Sequence, residues 1–127
     1  GLTGCEIAYD LILKGKKPVI VESKNDLMAV RGLCLANSSY LRDYFSYTKT
    51  PVFLESKLLT IVPTHVVVVT KDGALHKVKA DSIITCSGYN SNPIAPASKH
   101  VHIVGDALRV GNLRTVIWRA WDVACKL

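Results

Sequence analysis

Residues 1–22 read GLTGCEIAYDLILKGKKPVIVE, and the order of features in this stretch decides the fold. Gly1 and Gly4 stand three apart before an amphipathic run, where the second and third glycines of a G-x-G-x-x-G loop would stand. Ile7, Ala8, Leu11 and Ile12 recur at helical spacing between Cys5 and Lys14, and Gly15 stops the helix. Pro18 then leads into Val19-Ile20-Val21, an apolar run of the buried parallel-strand type, closed by Glu22. A glycine loop before a helix lets a pyrophosphate approach the backbone while the helix N-terminus offers free N–H groups and partial positive charge. An acid about 20 residues further on, at the end of the next strand, accepts hydrogen bonds from a ribose. Glu22 fills that position; the plainer alternative is a turn glycine and a surface glutamate.

Outward from this stretch the alternation continues. Leu33, Ala36, Tyr40, Leu41 and Tyr44 share one helical face, and Val52-Phe53-Leu54 reads as a second parallel strand. Leu58 to Val62, Val66 to Thr70 and Leu75 to Lys79 then read as an antiparallel meander, with Lys71-Asp72-Gly73 as a tight turn. Asp81 to Thr85 predicts a buried strand that stops at Gly88, and His100 to Val104 another that ends in Gly105-Asp106. A last helix starts near Asn112, with Leu113, Val116, Ile117, Ala120 and Ala124 on one face. The order is that of an α/β protein with a doubly wound sheet, whose first strand would be expected before Gly1. On this reading that strand is missing, and the exposed edges favour strand exchange into a dimer.

At 127 residues, 49% hydrophobic and 20% charged, the chain suits one globular domain and not a disordered segment. Apolar runs such as Val66–Val69 are far too short to span a bilayer, and no leader pattern opens the chain. No membrane association is expected. Cys5, Cys34, Cys86 and Cys125 lack C-x-x-C spacing, so they read as thiols of a reducing, cytoplasmic setting. The formal charge of +6 is spread thinly, which argues against nucleic acid; its densest cluster, Lys14, Lys16 and Lys17, lies where the first helix ends. His100 and His102 share a strand face without an evident third ligand, so no metal site is expected. Trp118 and Trp121 read as packing or interface residues.

Four segments together carry a family resemblance: GLTGCEIAYDL, VIVE, ADSIITCSGYNSNP and HIVGDALRVGNLRTVIWRAWDVA. They resemble, in order and spacing, the C-terminal part of NADH:flavin oxidoreductases of the 2,4-dienoyl-CoA reductase and trimethylamine dehydrogenase type. The resemblance implies a truncated Rossmann-like, glutathione-reductase-type dinucleotide-binding domain with an antiparallel meander. Residues 1–88 would be an NAD(P)H-binding domain lacking its first strand, and residues 89–127 a C-terminal strip of the FAD-binding domain. It implies that Gly1 and Gly4 belong to the pyrophosphate loop, Glu22 to the ribose site, and Glu6 to the neighbourhood of the nicotinamide. Glu6 reads equally as a first-turn glutamate facing the helix dipole. Gly88 matches the strand-to-loop crossing beside the cofactor; Gly105 and Asp106 match the motif that meets the ribityl or pyrophosphate region of FAD, although Asp106 reads equally as a helix N-terminal residue.

The implied parent enzyme passes hydride from NADH to FAD, and electrons onward to FMN and a four-iron cluster (4Fe-4S) in a TIM barrel, reducing an unsaturated substrate. Its FAD and barrel domains would be this chain's partners, and the isolated chain is expected to be inactive. Hydride transfer between stacked rings requires positioning and no side-chain acid or base, so no catalytic residue is assigned. Glu22 favours NADH over NADPH, although Lys24 and Arg31 lie near enough in sequence to offset a 2′-phosphate. Two rival readings are a free-standing nucleotide or S-adenosylmethionine module and a truncated domain that binds nothing.

Overall fold

The computed structural model describes residues 1–30 and 32–127. The chain divides into two compact units, Gly1–Ser87 and Gly88–Leu127. Helix and strand are mixed, in keeping with the α/β expectation. No helix among the described residues is long and apolar enough to cross a membrane.

The first unit opens with α1 (Leu2–Leu13), followed by β1 (Ile20–Val21), α2 (Leu35–Tyr47) and β2 (Val52–Phe53). Gly15, with φ +71°, ends α1 as expected: its N–H donates to the Ile12 carbonyl and that of Lys16 to the Leu11 carbonyl, both at 2.9 Å. β1 and β2 pair in parallel, Ile20 opposite Val52 and Val21 opposite Phe53, with α2 as the crossover. Cys5 and Ala8 of α1, Leu41 and Phe45 of α2, and Leu27 and Met28 of the intervening loop form the core. The small side chains of α1 let the loop lie close over the helix, and the Cys5 thiol, pushed up in pKa by burial, donates to the Leu27 carbonyl at 3.8 Å.

Two expectations here need correction. β1 is a two-residue ladder, and with Val19 and Val21 each 37% exposed it is not a fully buried strand. Of the face expected for α2, Leu41 is buried and Leu33 and Tyr44 pack against the core, but Ala36 and Tyr40 are exposed and Ser38 and Phe45 complete the buried face. Ser38 tolerates burial because its hydroxyl donates to the Leu35 carbonyl at 3.0 Å.

The meander forms as read: β3 (Lys57–Val62), β4 (His65–Val69) and β5 (Leu75–Val78) make an antiparallel sheet in that order. Only the central strand buries side chains, Val66 and Val68. Gly73, with φ +86°, closes the β4–β5 turn.

The Asp81–Thr85 stretch forms no ladder, and Ile83 and Ile84 are 43% and 54% exposed. A strand holds its backbone by pairing, and among the described residues no neighbouring strand takes its N–H and C=O groups.

In the second unit the His100–Val104 strand is likewise replaced by a lone bridge between Ser98 and Val101. The unit consists of α3 (Gly105–Leu108) and α4 (Leu113–Ala124) joined to irregular chain. Asn112 starts α4 as expected, through a reciprocal cap: Thr115 N–H donates to Asn112 Oδ1 at 3.0 Å, and Asn112 N–H to Thr115 Oγ1 at 2.9 Å. Of the expected apolar stripe, Val116 packs on Gly105, whereas Leu113, Ile117 and Ala120 stay exposed because nothing else in this unit covers them.

Candidate functional site

The N-terminus of α1 is the natural place for an anion. Cys5 N–H is the first to close an intrahelical bond, to the Gly1 carbonyl at 3.1 Å, which leaves the amides of Leu2, Thr3 and Gly4 without helical acceptors. Among the described residues no side chain caps this end, and no acid stands in the first turn. Glu6 therefore is not the first-turn glutamate considered from the sequence; it lies one turn further along and is exposed. A Cβ added to Gly4 would come to 3.3 Å from Cys86 Cβ, tighter than an ordinary contact. The Gly4 position thus lets the chain after Thr85 cross close against the first turn of α1. Gly1 has no such neighbour.

Glu22 closes the site. Its backbone is pinned by the ladder, N–H to the Phe53 carbonyl at 2.8 Å, and its carboxylate turns toward the start of α1. Oε2 lies 2.6 Å from the Gly1 nitrogen; Oε1 accepts from Lys24 N–H at 3.0 Å and Ser23 Oγ at 3.3 Å. Burial alone would raise the Glu22 pKa, but the hydrogen bonds it accepts outweigh burial and hold the carboxyl below the usual range. The charged form is the one the site stabilises. The Lys24 ammonium bends back to the Ala29 carbonyl at 3.3 Å; Arg31 lies outside the described residues.

A second cluster belongs to the Gly88–Leu127 unit. Gly88 opens it with φ +91° and open space around it. Gly105, at φ +60°, is buried beneath Val116, where a Cβ would meet Val116 Cγ1 at 3.2 Å. Asp106 Oδ1 accepts from Gly111 N–H at 3.0 Å, and Arg119 ties α4 to the Gly105 carbonyl at 3.3 Å and to that of Arg109. Asp106 also lines an open hollow of about 260 Å³ with Tyr89, Asn90, Asn92, Ala107 and Val110. Two amides and a carboxylate on an apolar floor suit hydroxyl-rich ligands, but the hollow is too open to enclose a dinucleotide by itself.

The structure therefore gathers Gly1, Gly4 and Glu22 at one place and Gly105 with Asp106 at another. Glu6 joins neither cluster. Sequence reading missed Cys86 as the neighbour of Gly4, and Ser23 with the Lys24 amide as supports of Glu22. The asparagines of the GYNSNP stretch were legible as a motif, though not as the wall of a hollow. Among the described residues no three metal-ligating side chains converge, and all four cysteines are unpaired.

No family model matches the chain. It is similar to the cinnamate reductase of Clostridium sporogenes, with 34% identity over 130 aligned residues covering 98% of this chain. The chain spans 19% of the length of that relative.

Proposed function

We propose that this chain is a dinucleotide-binding region of a flavin-dependent oxidoreductase, of the Rossmann-like kind, working as part of a longer polypeptide. One observation carries the reading. The Glu22 carboxylate turns toward the uncapped start of α1, which brings a candidate ribose-binding acid beside candidate phosphate-binding amides. The similarity to a reductase over a small share of its length supports the same reading.

The residues fit NAD(P)H. The Leu2, Thr3 and Gly4 amides would hold the pyrophosphate, the tight Gly4–Cys86 approach leaves room for no larger side chain, and Glu22 would accept from ribose hydroxyls. Its negative charge opposes a 2′-phosphate, so NADH is the preferred form. When bound, the reduced nicotinamide supplies hydride; this chain's residues bind and orient, and none moves a proton. Asp106 and the Gly105 turn would meet the hydroxyls of FAD, with residues 1–88 and 89–127 serving the two cofactors in turn. FMN and the 4Fe-4S cluster belong to other segments of the longer protein, with an unsaturated acid as the final acceptor. The cellular setting is the cytoplasm.

Calorimetric titration of the chain with NADH, NADPH and S-adenosylmethionine tests this. NADH should bind more tightly than NADPH, and Glu22→Ala should weaken NADH about tenfold, the scale of a hydrogen bond to a charged group. Absence of NADH binding by the folded chain would sink the reading, and preference for S-adenosylmethionine would favour a free-standing adenosine-binding module. The two-residue ladders of β1 and β2 leave edges free, and a strand-exchanged dimer would cover them. Light scattering should then give twice the chain mass.

A further inference from the structure

Among the described residues two non-glycines have a left-handed backbone, Lys49 at φ 53° and Glu55 at φ 47°. Lys49 has a local cause. It follows α2 with its N–H on the Ser46 carbonyl at 3.1 Å and that of Thr50 on the Phe45 carbonyl at 2.9 Å, an ordinary helix ending. Glu55 ends no helix. Its N–H donates to the Lys24 carbonyl at 2.9 Å, and the next N–H, of Ser56, donates to the Glu22 carbonyl at 3.0 Å. In an extended chain consecutive N–H groups point to opposite edges, so both reach the 22–24 segment only because Glu55 turns the backbone. Ser56 locks the turn from inside: it is 1% exposed and its hydroxyl donates to the Leu54 carbonyl at 2.6 Å.

We propose that Glu55 is a positioning residue whose left-handed backbone clamps Glu22–Lys24 and so aims the Glu22 carboxylate at the dinucleotide site, setting the preference between NADH and NADPH. The proposal rests on the function proposed above. The clamp holds the Lys24 carbonyl while the Lys24 N–H holds Glu22 Oε1, so the two peptide planes that orient the carboxylate move together. A left-handed non-glycine persists only where its surroundings impose it, and such residues gather at ligand sites. The Glu55 side chain itself points away, in an exposed pair with Lys71.

The test compares Glu55→Gly with Glu55→Val. Both lose the pair with Lys71, but glycine accepts a left-handed backbone and valine resists it. Glu55→Gly should keep NADH affinity within about twofold, whereas Glu55→Val should lose about tenfold and most of the preference over NADPH. On a Glu22→Gln background the valine effect should shrink to about twofold or less, because the effect passes through the carboxylate. Equal affinities of the glycine and valine variants, or an undiminished loss on that background, would overturn the proposal. Should the valine variant not fold, Glu55→Ala, with a milder penalty, replaces it at about threefold. If the native chain binds neither dinucleotide, the proposed function fails separately, and amide exchange decides the clamp. Exchange at Lys24 should then be about tenfold faster with valine than with glycine, and equal rates would refute the clamp.

Discussion

The two units solve the problem of holding a helix differently. In Gly1–Ser87, α1 and α2 are held by a shared core of Cys5, Ala8, Leu27, Met28, Leu41 and Phe45. In Gly88–Leu127, the one buried residue among those described is Gly105, and α4 buries none of its side chains. Yet α4 has the better N-terminal cap, and its apolar face, with Ile117, Trp118 and Trp121 each about 60% exposed, is left uncovered. Packing holds the first unit; caps and a few polar ties hold the second. Helices usually draw most of their stability from an apolar face packed on something, so the second unit is the less self-sufficient.

The largest test of this contrast is core truncation. Phe45→Ala should cost about 3–5 kcal/mol in chemical denaturation, while Trp118→Ala on the exposed face should stay within about 0.5 kcal/mol. A large loss at Trp118 would show that its face is covered in solution, and the comparison would collapse. Next in size is Gly105→Ala, expected to cost about 1–3 kcal/mol through its left-handed backbone and its contact with Val116. Gly1→Ala, with open space around it, should be near neutral by the same measurement.

Removing the cap of α4 should be felt at about 1 kcal/mol for Asn112→Ala, read as loss of helical signal from the second unit. The smallest effect concerns acid. Arg42 donates to both Asp26 oxygens, at 2.9 and 2.6 Å, and this pairing holds the Asp26 carboxyl below its ordinary 3.8. A lowered folded pKa means stability that is present above the ordinary value and lost as pH falls through the lowered one. Asp26→Asn should therefore reduce the stability of the first unit at neutral pH slightly and flatten its decline in acid, a small change because the pair is partly exposed.

Much of the first unit was legible because its signals are local. Gly15 after a helical stripe and Lys71-Asp72-Gly73 between alternating runs each name a backbone event within a few residues, as Asn112 before an apolar face does in the second unit. The strands at Asp81–Thr85 and His100–Val104 were misread for the complementary reason: their apolar, β-branched residues state a preference that only a neighbouring strand can satisfy. The buried face of α2 was read only in part, Leu41 correctly and Ser38 not, because Ser38 looks polar in sequence whereas its hydroxyl is satisfied within its own helix. Glu55 gave no signal at all, since its left-handed turn follows from where its N–H must reach.

Spacing along the chain was enough to name Gly1, Gly4 and Glu22 as a set, since a helix and a short strand of these lengths return the acid toward the loop. Tertiary structure alone decided what surrounds them: Cys86 against Gly4, the Lys24 amide under Glu22, and Glu55–Ser56 behind both. The physical reason is the range of the interactions. Helix stops, caps and turns are settled by bonds between residues a few positions apart, and sequence displays those directly. The aim of a carboxylate and the closeness of two backbones depend on partners tens of residues away, whose positions exist only once the chain has packed.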